Sequence, residues 1–379
     1  MMLMIAWLLP GVVHASGKFL VAVVENPGRF ERKNETIAVS LKSVKEKLTG
    51  IDVAHLTVID RTTGTVLVSQ ITGDELLFQA NFKPREKRSF IIRQSEGKGV
   101  KVQTLVDGRF VLPREDYAWE NDRIAFRIYG PALATEVNNG IDVWTKRVRT
   151  LVVGKWYKES EGSLPGKDTY HQDRGEGADF FAVGRSLGAG GSGIWSDDTV
   201  WQPGVFSSYA NVCNGPIRVT FELTYAKWEI KGKKFAERKR ISLDAGENLN
   251  KIEVLFTGLA PMDMVQIACG LVKRNSTTVS TGMMNRWMSL WGPTNSDSVN
   301  GSLGTGVVLL APVPATLRED NDQYLLIARA APGRRFTYYA GAGWTRSGDF
   351  DTVADWNAYL TNFSRRLDVP LRLSFTVRE

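Results

Sequence analysis

The sequence predicts an all-β protein, built as a large antiparallel β-sandwich with one helix in the C-terminal region. Three observations support this prediction. Apolar and polar residues alternate in many short segments, turn-forming pairs such as Asp107-Gly108 and Asn139-Gly140 separate these segments, and a convincing helical period occurs once. Many short alternating strands with regular turns are typical of a sandwich.

The predicted strands are spread over the whole chain. They cover segments 37–41, 65–71, 123–129, 218–225, 251–256 and 371–377. The helix is predicted over 350–366, where five apolar residues would share one face. These residues are Val353, Trp356, Tyr359, Leu360 and Phe363. Asp349 or Asp351 would cap the start of this helix.

The length of 379 residues allows two domains. Residues 1–15 are mostly apolar and end in small residues, as a signal peptide does before its cleavage site. We therefore expect a signal peptide at 1–15, an N-terminal β region at 16–105 that packs on the main sheet, and the main sandwich domain at 106–379. The alternative for the first segment is a buried N-terminal strand.

The charge and the hydropathy restrict the partners of the protein. A formal net charge of +7 favours anionic partners, although a basic surface can also serve solubility alone. After the first segment, the sequence has no apolar run near the roughly 20 residues that a membrane span needs. We expect a periplasmic or secreted protein with no membrane span, and export argues against a nucleic-acid partner.

The two cysteines are compatible with an exported protein, but the sequence does not determine whether they form a disulfide. Cys213 and Cys269 could form one disulfide or remain two buried thiols. Neither cysteine has the spacing of a metal ligand, and His55 and His171 are too few for a three-histidine zinc site. No metal or cofactor is therefore predicted with certainty.

One alternating strand, 123–129, would carry a polar face. Ile124, Phe126 and Ile128 would face the core, because successive side chains of a strand point to opposite sides. The opposite face would present Arg123, Ala125, Arg127 and Tyr129. Guanidinium groups bind carboxylates in a bidentate manner, so this face is a candidate ligand platform. The alternative is a solvated face whose arginines pair with Glu120 and Asp122.

The segment 155–202 is rich in glycine and poor in periodicity, which is typical of a functional loop. It contains His171, whose imidazole is suited to proton transfer near neutral pH. Its neighbours Tyr170 and Glu176 are candidate ligand contacts, and calcium is a further option at three acids. These acids are Asp173, Glu176 and Asp179. The alternative is a surface loop with an incidental histidine.

The glycines at 188–193 do not form a nucleotide loop, because the Lys-Ser/Thr pair of a P-loop is missing. Strand 218–225 places Arg218 and Glu222 on one polar face, with an exposed ion pair as the alternative. Near the helix, an exposed Trp344 could stack on a sugar while Arg346 binds an acid, unless Trp344 belongs to the core.

Five long blocks occur in a fixed order after residue 118. They are WENDRIAFRIYGPAL, NNGIDVWTKRV, YHQDRGEGADFFAVGRSLGAGG, NGPIRVTFELTY and AGAGWTRSGDF. The chain resembles, in these blocks, the bacterial domain-of-unknown-function family numbered 4861. The resemblance implies a sandwich of the galactose-mutarotase-like (supersandwich) type that binds carbohydrate in a concave sheet. It also implies export and a role in degrading pectin-like and other uronic-acid polysaccharides.

The resulting functional prediction is a carbohydrate-active protein for acidic oligo- or polysaccharides, acting as a lyase or hydrolase. The predicted catalytic residues are His171, Tyr129 and Glu222. The predicted substrate contacts are Arg123, Arg127, Tyr170, Glu120, Glu176, Arg218, Trp344 and Arg346. The alternatives are a non-catalytic carbohydrate-binding protein and a sugar epimerase or mutarotase. The proposed active centre requires Arg127 and His171 to share one cavity.

Overall fold

The structure is a computed structural model that describes residues 18–95, 102–161, 170–258, 264–294, 299–310, 313–331 and 333–379. The predicted signal peptide at 1–15 lies outside the described residues. The rest of the chain is mostly antiparallel strand, which confirms the predicted all-β fold class. Within the described ranges, no helix has the length and apolar character needed to cross a membrane.

The N-terminal part contains seven strands and a short helix. In chain order these elements are β1 (Phe19–Glu25), β2 (Arg32–Ser40), α1 (Leu41–Lys47), a 3-10 turn (Val53–His55), β3 (Leu56–Asp60), β4 (Val66–Leu67), β5 (Ser69–Thr72), β6 (Glu75–Phe82) and β7 (Lys87–Gln94). Strands β2, β6 and β5 form one sheet, and β1, β7, β3 and β4 belong to a second. The two sheets share a core in which the rings of Phe78 and Phe90 lie 4.8 Å apart.

A five-stranded sheet follows the predicted boundary at residue 105. Its elements, with a 3-10 turn and a helix, are β8 (Val106–Val111), β9 (Asp116–Asn121), β10 (Ile124–Ile128), the turn Pro131–Leu133, β11 (Ile141–Lys146), α2 (Val153–Glu161) and β12 (Gly177–Asp179). The strand order is β12-β11-β10-β9-β8. Helix α2 packs through Trp156 and Tyr157 on the outer face of this sheet, where Trp144 lies.

The remaining elements build a nine-stranded sheet and a further five-stranded sheet, apart from the last helix and the last strand, which pairs with β1. They are β13 (Ala189–Ser196), β14 (Thr199–Trp201), β15 (Phe206–Asn214), β16 (Arg218–Tyr225), β17 (Trp228–Ile230), β18 (Lys233–Asp244), β19 (Leu249–Thr257), β20 (Val265–Val272), β21 (Thr278–Thr281), the 3-10 turn Met283–Asn285, β22 (Trp287–Pro293), β23 (Ser302–Leu309), β24 (Ala315–Glu319), β25 (Gln323–Ala330), β26 (Phe336–Trp344), the 3-10 turn Thr345–Ser347, α3 (Val353–Asp368) and β27 (Arg372–Arg378). One sheet has the order β15-β16-β18-β19-β26-β23-β22-β21, with β17 beside β18, and the other has the order β14-β13-β20-β25-β24.

One continuous core joins the inner faces of these three sheets. The ring of Tyr117 on β9 stacks on the ring of Phe221 on β16 at a centroid distance of 3.9 Å. This contact brings the β8–β12 sheet and the largest sheet face to face. Trp119 completes the contact, because its indole Nε1 donates to Asn250 Oδ1 on β19 at 2.6 Å. The sheets therefore pack as layers of a sandwich, as predicted.

Helix α3 lies on the largest sheet and was predicted with a different start. It begins at Val353, and Thr352 caps it in a reciprocal pair with Asp355, so the predicted cap at Asp349 or Asp351 is wrong. Its buried Trp356 fits against Gly304 of β23, where a Cβ atom would lie 2.7 Å from the indole. Glycine at this position allows the helix to approach the sheet closely.

The other predictions about local structure are met in part. Strand 218–225 has the predicted bounds, whereas segment 65–71 is divided between β4 and β5. The predicted irregular segment 155–202 contains the end of α2 and strands β12 to β14, because its glycines occupy strand positions as well as turns. Cys213 and Cys269 both carry free thiols and lie in different sheets, so the open choice is resolved in favour of unbonded cysteines.

Candidate functional site

A buried charge cluster centres on Arg127 of β10. Asp142 lies directly opposite Arg127 in the neighbouring strand β11, and its Oδ2 accepts hydrogen bonds from Arg127 Nε at 2.9 Å and Nη2 at 2.5 Å. Arg127 Nη2 also donates to Asp179 Oδ2 at 3.0 Å and to the Tyr129 hydroxyl at 2.8 Å. Asp116 Oδ2 lies 3.7 Å from Nη1. One guanidinium therefore contacts three carboxylates.

The cluster is closed to solvent, and this changes the affinity of its members for protons. Burial raises the pKa of Asp116 to about 6, and burial together with the nearby Asp142 raises the pKa of Asp179 well above its usual range. Burial disfavours the charged form of Arg127, but the attraction of Asp142 and Asp179 outweighs it and holds the pKa of Arg127 above its ordinary value. Arg127 therefore stays charged, while Asp116 and Asp179 accept protons more readily than ordinary carboxylates do.

His171 contacts the same cluster from the surface. Its Nδ1 lies 3.1 Å from the carbonyl oxygen of Asp179 and 3.6 Å from Asp179 Oδ2. The His171 side chain is 46 % exposed, whereas Arg127 is buried. Tyr170 is also buried and stacks on Trp144 at 4.9 Å. Arg127 and His171 thus both lie close to Asp179 Oδ2.

Four arginines and two aspartates form two ion-pair groups, one of which includes Asp173 of the His171 loop, and we call them the arginine rim. They are Arg123, Arg147, Arg149, Arg346, Asp173 and Asp349. Asp173 follows His171 by two residues in the chain. Its Oδ2 accepts hydrogen bonds from Arg147 Nη1 at 3.2 Å and from Arg346 Nη1 at 3.3 Å. Asp349 Oδ1 accepts from Arg123 Nη1 at 2.6 Å and from Arg149 Nη2 at 2.9 Å.

Backbone hydrogen bonds fix the loop that carries His171. Asp173 Oδ1 accepts from the backbone N–H groups of Gly175 at 2.9 Å and Gly177 at 3.2 Å. Although burial opposes ionisation, these bonds and the charge of Arg147 hold the pKa of Asp173 below its usual value. Gly177 has a φ of +120°, and a Cβ atom there would lie 2.0 Å from the Thr145 oxygen. Glycine is therefore required where the loop enters β12.

The acids predicted as calcium ligands are divided among separate partners. Glu176 accepts from Lys155 Nζ at 2.8 and 2.9 Å and from Trp156 Nε1 at 3.1 Å, and the bond from Lys155 lowers its pKa. Asp173 binds the rim arginines and Asp179 binds Arg127. Among the described residues, no three acids, histidines or cysteines are grouped to hold a metal ion. The structure does not support calcium at these acids.

Glu120 is buried beside Lys146. It is 1 % exposed, and its Oε2 accepts from Lys146 Nζ at 2.6 Å. Its Oε1 also accepts from the backbone N–H groups of Val152 at 2.8 Å and Val153 at 2.7 Å, at the start of α2. Buried partners already occupy this carboxylate, and the contact between Glu120 and a substrate stays a prediction.

Two further predicted residues lie on the largest sheet rather than beside His171. Arg218 binds Asp244 through Nε at 2.5 Å and Nη2 at 2.8 Å. Glu222 lies 3.6 Å from Arg240 and 4.0 Å from Arg238, on strands of the same sheet. The structure therefore separates Arg218 and Glu222 from the five-stranded sheet that carries Arg127, and their roles toward a substrate remain predictions.

The prediction of an exposed Trp344 is wrong, and the core alternative is correct. Trp344 is 1 % exposed, and its Nε1 donates to the carbonyl oxygen of Asn300 at 2.8 Å. Phe180 packs on its ring with a centroid distance of 5.9 Å. Arg346 is partly exposed beside the same ring, and its role in binding an acid stays a prediction.

Several members of this site were not predicted from the sequence. The sequence does contain one indication for Asp142, because this acid stands between Ile141 and Val143 in a strand that is buried on both faces. A charged residue at such a position requires a buried partner. Arg147, Arg149 and Asp349 gave no comparable signal, since charged residues near turns are usually solvated.

Known proteins resemble this chain in sequence and in fold. The chain is 33 % identical over 377 residues to "Uncharacterized protein P7" of Formosa agariphila, and the match covers 93 % of this chain and 92 % of that protein. It also resembles a crystal structure titled as a protein in the glycosyl hydrolase family 38 from Enterococcus faecalis, with a TM-score of 0.50 and 10 % identity. That match covers 95 % of this chain and 48 % of the other, so the chain spans about half of that structure, and the likeness shows the fold alone. The domain of unknown function family DUF4861 matches residues 24–373, and the chain belongs to this family, as its sequence blocks predicted.

Proposed function

We propose that this chain is a carbohydrate-active protein that transfers a proton on an acidic saccharide through His171. The observation that carries the proposal is the way in which this imidazole is held. A carbonyl oxygen only accepts, so the contact of Nδ1 with the Asp179 carbonyl at 3.1 Å places the ring hydrogen on Nδ1. Nε2 then remains the basic nitrogen of a ring that is nearly half exposed.

The charge around His171 favours an acidic substrate. Arg147 and Arg346 share the single carboxylate of Asp173, so this pair of arginines retains an excess positive charge. A planar guanidinium forms two parallel hydrogen bonds with a carboxylate, which suits the carboxyl group of a uronic acid. The net charge of +7 supports the same class of ligand.

The reaction that fits this arrangement is β-elimination. Nε2 of His171 removes the proton from the carbon next to the uronate carboxylate, and the released electron pair forms a double bond to the neighbouring carbon. The bond from that neighbour to the glycosidic oxygen breaks, and the imidazolium returns the proton to this leaving oxygen. A rim arginine stabilises the charge that develops on the carboxylate.

Hydrolysis fits less well because it requires two available carboxylates beside the scissile bond. Glu120 is buried against Lys146, Glu176 binds Lys155, and Glu222 lies on another sheet. Tyr129 is also unsuited to act as a base. Burial and the neighbouring Asp142 raise the pKa of Tyr129 well above its usual value, so the phenol keeps its proton at neutral pH.

The comparisons support the carbohydrate-active role at the level of fold. The similar structure from Enterococcus faecalis is titled as a glycosyl hydrolase family protein, and we extend this to carbohydrate chemistry by analogy. The proposal includes export to the periplasm or beyond, on the basis of the apolar segment 1–15, and a substrate among pectin-like or other uronic-acid polysaccharides. A galactose-mutarotase-like relationship is part of the same proposal.

The test is an activity assay of the full chain on a panel of uronate polymers and matched neutral polymers. We expect unsaturated, ultraviolet-absorbing products from a uronate polymer, and His171→Asn should lower the rate by about a hundredfold or more. His55→Asn is the matched control, since His55 is exposed and its Nδ1 is likewise engaged, by Asp52 at 2.7 Å. This control should keep full activity.

Two results would contradict the proposal. Full turnover by His171→Asn would remove the imidazole from the reaction. Binding of uronate polymers by the native chain without any unsaturated product would show a non-catalytic binding protein instead. New reducing ends without the ultraviolet signal would identify hydrolysis.

A further inference from the structure

The hairpin of β17 and β18 carries charged residues at its exposed positions. Its turn, Lys231-Gly232, has positive φ at both residues. Ile230 and Phe235 are buried, whereas Lys234 and Lys227, which directly precedes β17, are exposed. The hairpin therefore presents mainly cations to solvent.

A second segment adjoins this hairpin at the same end of the largest sheet. Gly333, directly before Arg334 and Arg335, donates its N–H to the carbonyl oxygen of Phe256 at 3.1 Å. Phe256 lies opposite Glu237 of β18, in the strand β19 that separates β18 from β26. The segment and the hairpin thus meet across one strand. The exposed cations of this surface, which we call the basic end, are Lys227, Lys234, Arg334 and Arg335.

The charges that neighbour the basic end are largely paired. Lys231 Nζ lies 2.6 Å from Asp197 Oδ2, and Glu222 lies 3.6 Å from Arg240 and 4.0 Å from Arg238. Two carboxylates thus face three cations. These neighbours therefore add no net negative charge to the surface.

The basic end itself has an excess of positive charge. Among the described residues, none of its four cations forms an ion pair or a side-chain hydrogen bond. Two further acids lie nearby, Glu229 opposite Lys234 and Asp198 directly after Asp197. Four cations less these two acids leave two positive charges, and an anionic ligand can bind them without breaking an existing pair.

Strand β26 separates the basic end from the His171 loop. Phe336, its first residue, directly follows Arg335, and Arg346 lies two residues beyond its last. Arg346 donates to Asp173 of the His171 loop. The nine residues of this strand extend roughly 25–30 Å, so a single uronate cannot contact both places, whereas a long polymer can.

We propose that the basic end is a second, non-catalytic site for an anionic polysaccharide, and that it binds a stretch of polymer distant from the unit at His171. This inference rests on the proposed function, which supplies the class of ligand. Two linked contacts make the second binding event intramolecular, so affinity for the polymer exceeds that for a short oligosaccharide. An anionic membrane fits less well, because basic membrane-binding surfaces insert apolar side chains, and Ile230 and Phe235 are buried.

The test compares the binding of a polyuronate and of a uronate disaccharide to the full chain by calorimetry. We expect the double variant Lys234→Gln/Arg335→Gln to bind the polyuronate about tenfold more weakly, because two exposed charge contacts are lost. Its affinity for the disaccharide should equal that of the native chain, since the surroundings of His171 are unchanged. A neutral polysaccharide should bind weakly to both proteins.

Lys45→Gln/Lys47→Gln is the matched control, because both lysines are exposed on α1 and lie outside the basic end. Equal losses in the two double variants, or equal losses for the disaccharide and the polyuronate, would refute the second site. Binding to phosphatidylglycerol vesicles that depends on Lys234 and Arg335, while polyuronate binding does not, would refute it as well.

Product assays separate this result from the proposed function. Polyuronate binding that depends on Lys234 and Arg335, without unsaturated product, refutes the elimination and retains the second site. Unsaturated product together with polyuronate binding that is insensitive to both residues refutes the second site alone.

Discussion

Lys146 Nζ lies 2.6 Å from Glu120 Oε2, and both side chains are closed to solvent. Lys231 and Asp197 are separated by the same 2.6 Å but are more than half exposed. The two pairs therefore differ in burial at equal distance. Burial also lowers the pKa of Lys146, against the attraction of Glu120, so the partner is needed to keep the ammonium charged.

Lys146→Met should lower the free energy of unfolding by about 3–5 kcal/mol, because it leaves an unpaired carboxylate inside the protein. Lys231→Met should cost less than about 1 kcal/mol, since water replaces the lost contact. Urea denaturation of both variants measures the difference. Equal effects of the two substitutions would show that the buried pair has no special importance.

Asp116 should make stability depend on pH. Its pKa in the folded state is raised to about 6, above the ordinary value of about 4, so the folded protein binds this proton more tightly than the unfolded chain. The resulting stabilisation is fully present below about pH 4 and is lost as the pH rises through about 6. Asp116→Asn removes the titration. The stability of the native chain relative to this variant should fall by about 2 kcal/mol between pH 4 and pH 7.

Denaturation at a series of pH values checks this prediction. Asp351→Asn is the control, because Asp351 is exposed and its replacement should leave the pH profile of the native chain unchanged. A constant difference between the native chain and Asp116→Asn across the range would contradict the raised pKa.

Gly177 and Gly175 form a matched pair in the His171 loop. Both have positive φ, +120° and +100°, but a Cβ atom at Gly177 would meet the Thr145 oxygen at 2.0 Å while one at Gly175 meets nothing within 4 Å. Gly177→Ala should therefore be less stable than Gly175→Ala by about 2 kcal/mol or more, since backbone must move. Thermal unfolding measures this difference, and identical melting would rule out the clash.

The N-terminal cap of α3 stabilises this helix. Thr352→Ala should lower the free energy of unfolding by about 1 kcal/mol, because the hydroxyl accepts from the backbone N–H of Asp355. Thr361→Ala, within the same helix, should be nearly neutral because alanine favours the helix interior. Urea denaturation compares them, and a larger loss at Thr361 would assign the effect to packing.

Periodicity in the sequence was sufficient to predict strands but not their partners. Segment 218–225 was predicted with its observed bounds because one apolar face of β16 is buried. Segment 65–71 has a similar alternation, yet β4 pairs with β3 and β5 pairs with β6 in another sheet. Alternation reports burial on one face, and the choice of neighbouring strand depends on distant parts of the chain.

The same limit explains the results at the site. Alternation placed Arg127 on the face of β10 opposite Phe126, which is correct. It could not show that Trp144 and Tyr170 cover this face and turn a predicted platform into a buried cluster. The local pattern likewise left open whether Trp344 is exposed or belongs to the core, where it packs. Layers that come together from separate segments are not encoded in a local pattern.

Strand β27 pairs with β1 along its full length, from Phe19 opposite Arg378 to Glu25 opposite Arg372. The earliest strand of the described chain therefore acquires one of its two neighbours only when the latest one has been synthesised. Until then its N–H and C=O groups form an open edge that other chains can pair with. A polypeptide interrupted shortly before residue 372 should aggregate through that edge, even though the sandwich around Arg127 is already complete in its sequence.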